Sequence, residues 1–470
     1  MFRLGCVRIV ILTLTLLASL PTPVSKAQVV DEYGFTYESI GEALENTAPY
    51  TTIYVYKGVY EGGLEVRKPV KLVGIDYPIL DGGLRGSVIK IIDTSDVYIE
   101  GFEIVRSGRV YSTEDAGVRI DSSNNVTIRN NVFRDIFFGI LVKNSSYIYI
   151  YGNEITGIPE YYISDRMHGI YNWYSRNVFI VNNTFYHVKD GVYNDHNYYT
   201  VIDNNRFFYG RYGIHLMYSD NFKITNNSIT GFIAGMAIMY SENITVRYNL
   251  ITGNRVGGVG EGLFIPETDN ILVEYNWIVG NIVGINIRYT PYTPGKFSII
   301  RFNVVAFNYI GVNVDTDSEA YVYGNDFIEN IQDIRYIGYT ESRIRWYNES
   351  LKMGNFWSGY VAYDSDNDSI YDIPFISIDP LYTFIQEHRE LSIYYFTPVY
   401  ELLDIIFKYS FESRLEGLIE DRYPFKKPVN IEDIGFKIYL ENIPYPVALT
   451  LPTVYLLHRG GLNARGGRRK

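Results

Sequence analysis

A glycine-punctuated repeat of 22 residues constrains this chain more than any other feature. Gly117, Gly139, Gly169, Gly191, Gly213, Gly235, Gly262, Gly284 and Gly311 open successive units. Five of the eight spacings are 22; the others, 30, 27 and 27, are 22 plus an insertion. Each unit holds three short β-rich runs separated by turn residues, as in GIHLMYS, NFKIT and NNSIT from Gly213 onward. Three strands per unit, stacked on the next unit, predict an all-β fold: a right-handed parallel β-helix of roughly 22-residue coils. Asparagine recurs fourteen places after the glycine, at Asn131, Asn153, Asn183, Asn205, Asn227, Asn249, Asn276 and Asn325. Such a column predicts a hydrogen-bonded ladder along the axis. It also ties up sequons such as that of Asn226 and argues against glycosylation there.

The flanks divide the rest of the chain. Residues 1–27 read as a signal peptide: Arg3 and Arg8 precede an apolar run at 9–20, and Ser25, Lys26 and Ala27 offer a cleavage site. Residues 28–50 form an N-terminal cap with an amphipathic helix over 39–46, which shields the open sheet edge. The β-helix proper occupies 51–345. Its C-terminal end, with an acidic loop, takes 346–385. A helical segment follows at 386–428, then an apolar and basic tail at 429–470. That tail is too short and too interrupted by Pro446 and Pro452 to predict a spanning helix, so membrane association is expected to be peripheral.

Removing the signal peptide takes three cations and no acid, so the net charge moves from −11 to −14. That balance excludes nucleic acid as a general partner and favours cations. Cys6 is the only cysteine and leaves with the signal, so disulfides and thiolate metal sites are excluded. A soft-metal site must then use methionine and histidine.

Column reading locates one. Places +1 and +3 after each glycine are mostly aliphatic and face inward, so +2 and +4 face outward. The +4 stripe includes Trp173, Asp195, Met217 and Met239, and the +2 stripe includes Tyr171, Tyr193 and His215. Met217 and Met239 therefore stand on adjacent coils about 4.8 Å apart, with His215 on the same face. Asp195 and His196 lie one coil earlier, and Met167 and His168 end the insertion before Gly169. Thioether and imidazole together suit Cu(I). The competing interpretation is an apolar docking patch built from the methionines with Tyr171, Trp173, Tyr193 and Phe264. Met236, at +1, is assigned to the core.

A second candidate is DSDNDSIYD, whose Asp364, Asp366, Asp368 and Asp372 occupy places 1, 3, 5 and 9 of a calcium-type loop. Ser369 stands at the glycine place and Phe375 where an EF-hand has its bidentate acid. β-Helices also act on acidic polysaccharides through clustered carboxylates. Here the outward acids are instead interleaved with bases, Asp121 beside Lys143 and Arg288 beside Asp315, which reads as charge pairing. A sugar-binding protein or lyase, and a structural surface protein, remain the alternatives.

The runs DRMHGIYNWYS, GRYGIHLMYS, GMAIMYS and GNFWSGYVAYDSDNDSIYDIPF resemble the nitrous oxide reductase maturation family NosD, a periplasmic copper-binding family. The likeness runs from GVYEGGLEVRKPVKLVG to about Pro428, and His215, Met217 and Met239 fall on its motif positions. The resemblance implies a non-enzymatic accessory subunit outside the cytoplasmic membrane. Its implied partners are an ABC-type ATPase and its permease, a copper chaperone, and nitrous oxide reductase as recipient. The helix carrying Glu401 and Phe407 is the expected membrane-side contact.

Overall fold

A computed structural model describes residues 28–315, 317–337, 343–377 and 419–431, with isolated positions between 388 and 406. Residues 1–27, assigned above to a signal peptide, Glu401, Phe407 and the tail beyond 431 lie outside the described residues. The three runs of each unit are strands, and each pairs in parallel with the same run of the next coil. For the unit at Gly213, Tyr193 is in register with His215 and His215 with Ala237. The second runs make one 15-stranded ladder. The first and third runs make two further ladders that merge into a 23-stranded sheet. They merge because Arg206–Met217 and Ser228–Met239, each of 12 residues, cross the corner between faces as continuous strands. The result is the right-handed parallel β-helix expected from the repeat.

Burial follows the alternation of each strand. In Glu242–Arg247, Ile244 and Val246 point inward and are sealed from solvent. Aromatic residues also stack along the interior, Phe185 on Phe207 at 4.7 Å and nearly coplanar. The opening glycines are required by this packing. A Cβ on Gly213 would lie 2.6 Å from the Gly235 carbonyl oxygen and 2.6 Å from Ile229 Cγ2. The asparagine column is the expected ladder, and Asn303, displaced from place fourteen by the insertion after Gly284, fills it between Asn276 and Asn325. Asn227 Oδ1 accepts the Asn205 amide at 2.9 Å, and Asn227 Nδ2 reaches Ile202 O at 2.9 Å and Asn249 Oδ1 at 3.0 Å. Each link satisfies a backbone donor that the turn would otherwise orphan.

The N-terminal cap is a helix at Ile40–Asn46 whose Ser39 side chain accepts the Glu42 amide at 3.1 Å. Its Ile40, Ala43 and Leu44 are buried. Beside it, Val29–Asp31 pairs antiparallel with Thr52–Val55.

The other end departs from expectation. Most of the helical segment proposed for 386–428 lies outside the described residues, but its described end is not helical. Ile419–Asp421 is a strand antiparallel to Phe375–Ser377. Asp421 then extends the asparagine ladder, because its Oδ2 accepts the Asn355 amide at 2.7 Å and the Trp357 indole N–H at 2.9 Å. Asp326 accepts the amides of Val429 and Asn430 at 2.9 and 2.8 Å. Residues 419–431 thus close the solenoid, supplying donors and acceptors that a missing next coil would have given.

Candidate metal centre

The candidate residues sit where the two long strands turn the corner. Register places Trp173, Asp195, Met217 and Met239 in one outward column and Tyr171, Tyr193 and His215 in the other. Met236 is buried in the core. The thioethers of Met217 and Met239 are half-buried. His215 faces outward from the core yet is only 6% exposed, because aromatic rings cover it. Tyr193 stacks on it at 4.4 Å and Tyr212 meets it edge-on at 4.9 Å. Tyr171 lies parallel to Tyr193 at 5.1 Å, and Phe138 follows at 6.0 Å. His168 lies against the same stack, 4.9 Å from Tyr193.

The centre of this box is a carboxylate that column reading missed. Asp190 is fully buried. It accepts Arg211 Nε and Nη2 at 2.8 and 2.6 Å and faces His215 Nδ1 at 3.1 Å. His168 Nδ1 lies 3.3 Å away, within ion-pair range but outside hydrogen-bonding geometry. Burial alone would raise the Asp190 pKa; His168, His215 and Arg211 outweigh it and hold the carboxyl well below its usual range. Burial lowers the His168 pKa against the pull of Asp190, so that imidazole is neutral at pH 7. Burial, with nearby Asp195, pushes the Tyr193 phenol up to about 12. Its hydroxyl donates to Met217 Sδ at 3.5 Å. With the Asp190 carboxylate as acceptor, the neutral tautomer of His215 carries its proton on Nδ1 and its lone pair on Nε2. Nε2 is buried and has no partner. A signal for Asp190 did exist: His168, Asp190 and Tyr212 all immediately precede a unit glycine, and so share a column that went unread.

The remaining candidates are more dispersed. His196 belongs to the neighbouring turn, between Tyr174 at 4.7 Å and Tyr218 at 5.1 Å, with Nδ1 2.7 Å from Asp195 Oδ1. Met167 packs against an apolar cluster of Ala116, Phe137, Phe138 and Leu141. Trp173 carries the Lys143 ammonium over its ring at 4.4 Å. The expected charge pairs take other partners: Lys143 bonds Glu114 at 2.8 Å, Asp121 bonds Arg119 at 2.5 Å, and Asp315 accepts from the Tyr289 amide. In the acidic loop, Asp364, Asp366 and Asp368 converge, whereas Asp372 Oδ2 closes the loop on the Ser365 amide at 2.7 Å.

Comparison with known proteins decides the family. The family described as "Periplasmic copper-binding protein (NosD)" matches residues 158–362, and a right-handed β-helix family matches 80–167. The probable ABC transporter binding protein NosD of Pseudomonas aeruginosa is 33% identical over 366 residues, which cover 74% of this chain and 81% of that protein. The chain belongs to the NosD family. Its members are described as periplasmic and copper-binding, and the matched segment contains every residue of the aromatic box except Phe138. Solved structures with a similar course include the N-terminal fragment of bacteriophage Phi29 gene product 12, at 14% identity and TM-score 0.49, over 64% of this chain and 68% of that one. Another is the Streptococcus pneumoniae adhesin PfbA, at 14% identity and TM-score 0.44, over 59% and 82%. Among the described residues, no helix is long and apolar enough to cross a membrane.

Proposed function

We propose that this NosD-family chain is a non-enzymatic Cu(I) carrier that works with an ABC transporter in maturing the copper–sulfur site of nitrous oxide reductase. The observation that carries this reading is the buried, unpartnered Nε2 of His215 beside a thioether column. A buried imidazole nitrogen without a partner costs free energy, and a soft cation relieves that cost. Asp190 fixes the tautomer, as carboxylates behind metal-bound histidines do. Met217 and Met239 supply neutral sulfur ligands, and their partial exposure leaves a path in and out. Asp195 and His196 form the outer rim, with Met167 and His168 behind the aromatic stack. The name of the Pseudomonas aeruginosa relative supports an ABC transporter as partner. A copper chaperone as donor follows from the same reading, with Trp173 and the rim tyrosines as its docking surface.

A specific feature favours sugar binding as the second reading. Beyond Ala237 the same face opens into a groove of about 760 Å³ beside Glu261, Asn286 and Arg335. There Arg335 donates to Asn313, Asn313 to Asn286, and Asn286 to Glu261. Anaerobic Cu(I) titration against a competing chelator separates the two. The mature protein should bind, and the variant with His215, Met217 and Met239 all changed to alanine should not. Equal binding by both, or by neither, overturns the copper reading and makes oligosaccharide titration the next test.

A further inference from the structure

We propose that the loop 364–372 binds calcium, and that the ion locks this loop to the 419–431 segment that closes the solenoid. The site is independent of the copper face. Carboxylate oxygens of Asp364, Asp366 and Asp368 lie within 4.8 Å of one another, a spacing that fits joint coordination of one ion. Asp366 and Asp368 are exposed, but the side chain of Asp364 is covered, at 2% exposed. One of its oxygens, Oδ2, accepts from the Lys426 ammonium at 2.7 Å. The other, Oδ1, is buried with no hydrogen-bond partner. The amides of Asn367 and Ser369 favour the ionised carboxylate without making a hydrogen bond of good geometry to it. A buried carboxylate oxygen without a hydrogen-bond partner, on a residue whose carboxylate converges with two others, calls for a cation. All-oxygen donors select a hard one, and three convergent carboxylates suit calcium better than magnesium, which keeps several waters and takes one or two carboxylates.

The loop also holds the closing segment. Lys426 donates its amide to Ser369 O at 2.9 Å and its ammonium to Asp364. Tyr371 donates to Pro424 O at 2.9 Å, and Phe425 bridges to both Ile370 and Phe356. Phe425 and Ile431 pack on the cluster of Leu250, Trp277, Val304 and Phe356. Lys426 and the ion share Asp364, so order in the loop becomes order in the closing segment. Residues 378–418 connect the paired strands Phe375–Ser377 and Ile419–Asp421 along the chain. Calcium would therefore set the stability of the strand pair that this connection joins.

The test uses the mature full-length chain, with calcium by calorimetry and Tb³⁺ by tyrosine-sensitised emission, since Tyr363 and Tyr371 flank the loop. Calcium should bind with a Kd on the order of 10⁻⁴ M or tighter. Asp366→Asn with Asp368→Asn should weaken it at least about 30-fold; both asparagines keep an acceptor for the loop amides, and near-UV circular dichroism checks the fold. Lys426→Met removes a competing positive charge and should tighten binding, on the order of tenfold for a divalent ion about 6 Å away in a water-like dielectric. Amide exchange at Phe425 and Lys426 should slow when calcium is added. Absence of calcium heat and terbium emission at millimolar metal overturns the site. Undiminished binding in the double variant places the ion elsewhere. Weakened binding in Lys426→Met overturns the shared use of Asp364, and unchanged exchange at Phe425 overturns the lock.

Discussion

Replacing Asp190 by asparagine tests whether the buried carboxylate organises the aromatic box. The change preserves volume and removes a charge. Arg211, whose side chain is 31% exposed, loses two charge-assisted bonds of 2.8 and 2.6 Å. His215 loses the acceptor that sets its tautomer. Removing one partner of a buried ion pair costs about 3–5 kcal/mol; the remaining amide oxygen and the partial exposure of Arg211 place the expected cost near the lower end, about 3 kcal/mol. Arg211→Met alone should cost a similar amount, because it leaves Asp190 charged between two imidazoles. The double variant has no unpaired ion, so its cost should fall short of the sum by about 2 kcal/mol or more. Urea unfolding followed by tryptophan fluorescence and circular dichroism measures all four corners of the cycle. The Asp190→Asn variant should also lose Cu(I) affinity by about 10- to 100-fold, the usual penalty for removing the group behind a ligating histidine. An Asp190→Asn protein within about 0.5 kcal/mol of the parent, or additive single changes, would refute the reasoning. Full stability loss with unchanged copper affinity would make Asp190 structural only.

Two further outcomes are expected. Asn227→Ala deletes four side-chain hydrogen bonds and strands the buried Asn205 amide; it should cost about 3–5 kcal/mol in chemical unfolding, against less than about 0.5 kcal/mol for the exposed Lys223→Ala on the adjoining strand. Acid should weaken the fold in two windows. His168 has a lowered folded pKa, so its contribution is complete above about pH 6.5 and declines as pH falls toward that lower value. Asp190, also lowered, contributes fully above about pH 4 and loses its contribution only as pH falls toward its folded value. His168→Gln should shrink the first decline in a pH series of unfolding midpoints, leaving the share of His187, also lowered by burial, and the second decline intact.

The legibility of this chain follows from its one-dimensional construction. Each coil contacts mainly its neighbours, so one period and one reference glycine determine which residues are stacked. That is why the pairing of Met217 with Met239, and of Tyr193 with His215, could be read directly from the sequence. The same reasoning placed Met236 inside and the asparagines in a ladder. It failed at the C-terminal end because 419–431 closes the solenoid from outside the repeat. Asp421 acts as the ladder's last asparagine without standing fourteen residues after any glycine. No periodic rule reaches a residue recruited from that far along the chain.

The face itself shows a second limit. Alternation tells which way a side chain points, not what then covers it. His215 points outward and is nonetheless buried, because Tyr193 and Tyr212 fold over it and Asp190 binds it from the preceding coil. The ring stack makes a low-dielectric pocket outside the core, and that pocket gives the Asp190 charge its strength and keeps His215 Nε2 out of contact with solvent. The methionines, one position beyond the cover, stay half-exposed. A soft cation arriving at the thioethers would therefore meet an imidazole already oriented and dehydrated. Under the proposed copper role, the difference in burial between columns +2 and +4 would give an inner and an outer ligand, the arrangement expected of a carrier that must release its metal as well as bind it.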